Sequence, residues 1–282
     1  GIIGAPAAMA LDLLFFLALS AMLGREIVAG RNWRNLPVVG GTLAVAAANA
    51  LVHLEPVAGL ESGYGLRLAI GAFVFLIALI GGRIVPSFTR NWLAKRDPVH
   101  RPAQANRADR AVVALTGVAA ACWAGVPDHP ATGVLAGAAA LGNLWRLARW
   151  QGHRTWREPL LLVLHVGYAW MAVGLGLVAL AALGAGVPHT AALHALTAGA
   201  MGVMPAAVMT RATLGHTGRA LTADAGTSAL FTALALAAVL RVAAPLSGVL
   251  YLDLLGASAL VWIAGFALYV ALYAPMQLKP RL

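Results

Sequence analysis

The sequence predicts an all-α fold, a polytopic transmembrane bundle of nine helices, on three observations. The first is composition. Of 282 residues, 61% are hydrophobic and 11% charged, whereas soluble domains carry about 45–50% apolar and about 25% charged residues. The second is a series of nine apolar runs, each near the roughly 20 residues that a bilayer core requires. The third is an alternation of basic charge between successive connections, which tests the helix count independently of hydropathy.

Helix one, about 5–24, is followed by Arg25, Arg31 and Arg34. Helix two, about 36–54, leads into a connection that carries Glu55 and Glu61. Helix three, about 66–85, ends in a basic connection with Arg83, Arg90, Lys95, Arg96, Arg101, Arg107 and Arg110. Helices four and five, about 110–126 and 131–148, are short and rich in Ala and Gly, and are joined by Pro127, Asp128, His129 and Pro130. Arg146, Arg149, Arg154 and Arg157 precede helix six, about 159–183. Helix seven, about 189–212, is kinked at Pro205, which lacks the backbone donor of a helix interior. Arg211 and Arg219 follow it, and helices eight and nine, about 227–243 and 249–273, lead to Lys279 and Arg281.

Of 20 Lys and Arg residues, 18 fall in alternate connections, leaving only Arg67 and Arg241 on the other side. A wrong helix count would scramble that pattern. The positive-inside rule then places the basic loops and the C-terminus in the cytoplasm and residue 1 on the periplasmic side of a bacterial inner membrane. The chain reads as one transmembrane domain over residues 1–282, with a cytoplasmic basic loop at about 88–110. It starts at Gly1 with no charged segment before its first apolar run, so it reads as a piece of a longer chain lacking an odd number of upstream helices.

Several function classes drop out. One cysteine, Cys122, permits neither a disulfide framework nor a multi-cysteine metal site. The net charge of +10 belongs to orientation and anionic lipid contact rather than to nucleic acid, for which no binding motif is present. No Walker loop, dinucleotide fingerprint or paired carboxylate is visible, and no catalytic residue is assigned.

Polar side chains at membrane depth are costly and need a reason. In helix seven, His194 is followed by Thr197, Met201, Met204 and Val208 at helical spacing on one expected face. Histidine and methionine are haem axial ligands and copper donors; core packing is the other reading. His165 in helix six has Tyr168 three residues on and Trp170 nearby, and is either a ligand or a histidine bonded to a partner helix. The turn from Met209 to Arg219 holds Arg211, His216 and Arg219, suited to a propionate or a lipid phosphate. With Arg83 and Arg90 from the end of helix three, Arg211 and Arg219 are expected to form a basic cradle. Asn49 and His53 stand one turn apart in helix two, and Asp12 lies in helix one. The loop histidines His100, His129, His153 and His189 read as solvent-facing. His165 and His194 differ in depth by roughly 15–20 Å, so they do not ligate one iron from both sides.

Taken in order, these stretches resemble the NnrS family. They are Arg34-Asn35-Leu36-Pro37, Ile80 to Asn91, Arg157 to Trp170, and His194 to Gly202 continuing through Arg219. The resemblance runs from about residue 11 to residue 281. It implies a haem- and copper-containing membrane protein linked to nitric oxide metabolism and nitrosative stress, with about twelve helices in the complete protein. It also implies an N-terminal segment with a His-Ala-His-Glu-like motif that this chain lacks. Together with the polar residues at depth, it leaves His194, His165, His216 and His53 as the candidate metal ligands, and Arg83, Arg90, Tyr168, Met201, Arg211 and Arg219 as the candidate cofactor contacts. Nitric oxide and membrane lipids are the implied partners, along with the missing helices of the same protein. The alternative is a secondary transporter or metal permease without haem; the sequence shows no internal repeat and no pair of broken helices to support it.

Overall fold

The structure, a computed structural model, describes residues 4–60, 63–97 and 99–281. Glu61, used above in the charge pattern, lies outside them. Among the described residues there is no strand, and nine helical rods carry the fold. They are α1 (Ala5–Ala29), α2 (Leu36–Val57), α3 (Tyr64–Leu93), α4 (Arg107–Gly125), α5 (Pro130–Ala148), α6 (Pro159–Ala182), α7 (His189–His216), α8 (Ala225–Ala243) and α9 (Tyr251–Leu278).

Seven of the rods are long and apolar enough to cross a membrane. The other two are α4 and α5, at 19 residues each. They fall short because Arg107, Asp109 and Arg110 open α4, and Asn143 and Arg146 lie in the last turns of α5. Local chemistry sets their starts. Asn106 accepts from Asp109 N while the Asp109 carboxylate accepts from Asn106 N, a reciprocal cap. Pro130 opens α5 with His129 as cap.

The third rod departs from expectation. It runs on to Leu93 instead of stopping near 85, so Phe88 and Arg90 are helical and the basic segment 88–110 is not one loop. Between the rods, 94–97 and 99–106 are irregular. The rod passes Pro86 after a wide π turn at Ile77–Gly81. A second π turn at Ala195–Met201 interrupts α7, four residues before Pro205. Such turns insert an extra residue and free a carbonyl from the regular ladder.

The sixth helix is the hub. Fourteen of its residues are buried, on all sides, including Leu160, Leu164, Tyr168, Met171 and Leu175, as befits a helix apolar around its whole circumference. It packs on α5 and α7, with α3 closing against it. A Cβ added at Gly167 would come within 3.0 Å of the Met204 backbone nitrogen, so this glycine sets how closely α6 and α7 approach. Hydroxyls tie the outer rods inward. Ser20 donates to Thr42 between α1 and α2 (2.8 Å), and Ser258 donates to Ala237 O between α9 and α8 (2.8 Å).

Candidate functional site

The π turn decides what the seventh helix presents. His194, Thr197 and Met201 face a lateral cavity of about 540 Å³ between α7, α8 and α9. Met204 and Val208 do not join them. Met204 is buried instead toward Gly81 and Gly167, so the expected five-residue stripe is split by the extra residue. The far wall is Trp262 and Phe266 of α9, ring centroids 4.9 Å apart, and Arg241 of α8 closes one end. Neither ring nitrogen of His194 has a hydrogen-bond partner among the described residues. Arg241 was legible in sequence only as one of two cations on the sparse side; its place beside His194 comes from the packing of α8.

The other deep histidine lies in a separate cavity of about 400 Å³. His165 Nε2 is 2.9 Å from Thr89 Oγ1, and that hydroxyl donates to Val85 O (2.9 Å). The hydroxyl has one proton, so Nε2–H donates to it and Nδ1 keeps a bare lone pair. Nδ1 is buried with no partner. A Cβ on Gly152 would lie 2.6 Å from it, so that glycine leaves the space in front of the lone pair. His153, expected to be an isolated loop histidine, lines the same cavity. The two histidine cavities share no lining residue.

Tyr168 is not the partner of His165. Its hydroxyl instead donates to Asn143 Oδ1 (2.6 Å) and accepts from Arg146 Nη1, both on α5. Arg146, 3% exposed, is the centre of this network. Its Nη1 also donates to Ala78 O (3.1 Å), a carbonyl of the first π turn, and its Nε reaches Asp109 Oδ1 (3.4 Å). Asp109, 5% exposed, takes a second guanidinium from Arg149 (2.9 Å). Sequence reading counted Arg146 only as an orienting charge and assigned Asp109 no role. A buried charge persists when it is paired and hydrogen-bonded, as here.

The remaining expected residues scatter. Arg83 donates to Asn35 Oδ1 (2.6 Å) and Arg34 O (2.9 Å). Arg90 donates to the carbonyls of Pro102 (3.2 Å) and Ala103 (3.4 Å). Arg211 lies 4.3 Å from the centroid of Phe88, and Arg219 donates to Thr217 O (3.4 Å). These four arginines therefore hold separate partners, one side-chain amide, backbone carbonyls and a ring, and are not brought together as a cradle. His216 is exposed at the end of α7. His53 pairs with Asp12 (2.9 Å) on the outer face of α1 and α2. His100 and Arg154 hold the half-buried Asp97 carboxyl below its usual range, the imidazole contact contributing most. Among the described residues no three His, Cys, Asp or Glu side chains converge as a metal site.

The sequence matches the family model described as NnrS protein over residues 1–281. No curated protein and no solved structure matches it.

Proposed function

This chain belongs to the NnrS family, and from that premise we propose a haem- and copper-binding integral membrane protein that acts in the nitric oxide response and in resistance to nitrosative stress. One observation carries the reading: an unpartnered His194 faces a cavity with Met201, two aromatic rings and Arg241. Its size falls within the roughly 300–1,000 Å³ of small-molecule and cofactor sites. His194 would supply a nitrogen donor to the haem iron. Met201 lies seven residues on, roughly 10 Å of helix rise, so it would line the haem pocket and not share the metal with His194. Trp262 and Phe266 exclude water, and Arg241 pairs with a carboxylate. His165 Nδ1, with His153 beside it, is the donor set for copper. When bound, haem iron and Cu(I) both take nitric oxide as a ligand. The arginine-rich end faces the cytoplasm of a bacterial inner membrane, with the His194 cavity toward the opposite side.

The test is a visible spectrum with metal analysis of protein made in haem- and copper-replete cells. His194→Ala lowers bound haem several-fold, and Arg241→Gln lowers it more than Arg211→Gln does. Unchanged haem in His194→Ala removes this histidine from the site. The two π turns, each followed by a proline, one in each of α3 and α7, favour a second reading, a secondary transporter, because interrupted helices build transport sites. Wild-type protein with no Soret band selects that reading.

A further inference from the structure

A cavity of about 890 Å³ belongs to neither histidine. It opens at the arginine-rich end between the α1–α2 connection, α3, α4 and α5, and no His, Met, Cys or Tyr lines it. A haem iron would find no axial ligand there. Five arginines line it, Arg34, Arg83, Arg107, Arg110 and Arg146, against one acid, Asp109. That acid is already engaged by Arg146, Arg149 and the Asn106 N–H.

The guanidiniums of Arg34, Arg107 and Arg110 have no hydrogen-bond or ion-pair partner among the described residues. The fourth free group is deeper. Arg146 spends Nε and Nη1 on the buried network, while Nη2 has no acceptor among the described residues and stands over Gly82. Gly82 has no side chain, so it leaves a window through which Nη2 meets the cavity. Beside these groups the lining includes an apolar wall, formed by Phe75, Leu79 and Val113. A ligand that satisfies both walls has an oxyanion for several guanidinium forks and a hydrocarbon part beside it.

We propose that this cavity binds a phosphate group, carried on an anionic phospholipid whose acyl chain lies against Phe75, Leu79 and Val113. The site stands independently of the metal reading, because it shares no residue with either histidine cavity.

The experiment measures lipid retained by the purified full chain after washing in neutral detergent, using phosphatidylglycerol as the probe. Wild type retains about one molecule per chain. Arg107→Gln with Arg110→Gln lowers retention about tenfold or more, as loss of two charge-assisted contacts does. Arg25→Gln with Arg281→Gln, a pair outside the cavity, retains the wild-type level. Both double variants change exposed side chains, and equal far-ultraviolet circular dichroism shows that they fold alike. Excess inorganic phosphate that displaces the lipid from wild type identifies free phosphate as a second source. Lipid that resists phosphate yet is lost from the cavity variant assigns the site to the lipid alone. Equal retention in the two double variants overturns the proposal, as does wild type that retains no phosphatidylglycerol and binds no inorganic phosphate saturably.

Discussion

Replacing Gly82 by alanine puts a methyl group where the Arg146 guanidinium sits. An added Cβ overlaps Nη2 and stands 2.9 Å from Cζ. A contact with the end of a flexible side chain is usually relieved by a small swing. Here the swing is blocked, because the same guanidinium holds Ala78 O, Asn143 Oδ1, Tyr168 Oη and Asp109 Oδ1. Moving it uncouples a buried ion pair, which costs about 3–5 kcal/mol. Alanine returns about 1 kcal/mol through its better helix propensity, so the net loss is about 2–4 kcal/mol. Gly40, in α2 with nothing within 4 Å of an added Cβ, is the control, and alanine there is neutral or slightly stabilising. The assay is equilibrium unfolding in mixed dodecyl sulfate and maltoside micelles, followed by tryptophan fluorescence. Equal stability of Gly82→Ala and Gly40→Ala would refute the idea that Arg146 is fixed by its network.

Two further outcomes follow from the same contacts. Tyr168→Phe removes one donor and one acceptor from the buried network and lowers stability by about 1–3 kcal/mol in that assay, with His165 and its Thr89 bond intact; a smaller loss would make the tyrosine a packing residue only. Asp224 caps α8 by accepting from Thr227 N (2.7 Å), and this bond holds its carboxyl below the ordinary range. Its contribution is therefore complete above the unfolded aspartate value of about 3.9 and fades as pH falls through the lower folded value. Asp224→Ala costs about 1 kcal/mol at neutral pH, and the gap from wild type closes on acidification; a gap independent of pH down to the acid limit would exclude the capping carboxylate.

The amount of this fold that is legible in sequence differs by feature. The nine rods were, because apolar length and the spacing of arginines are local properties. Predicted and observed ends agree to within a few residues for α2, α5 and α6. The third helix was cut short because Gly81, Gly82 and Pro86 are breakers by propensity, while packing of its inner half carried the helix through to Leu93. His194 and Met201 were legible as polar and soft donors at helical spacing. Their separation from Met204 was not, since a π turn leaves no compositional mark.

By itself the sequence determined the solvent, the helix count, the charged end and the histidines set at depth, because each depends on residues adjacent in the chain. Tertiary structure alone decided which of these side chains meet. Asp109 and Arg146 are 37 residues apart and Thr89 and His165 are 76 apart. In α6 every face is apolar, so hydropathy does not fix its rotation about its own axis. In hydrocarbon that rotation is set by glycine gaps and buried hydrogen bonds, and it puts Tyr168 on Arg146 while His165 keeps a free lone pair.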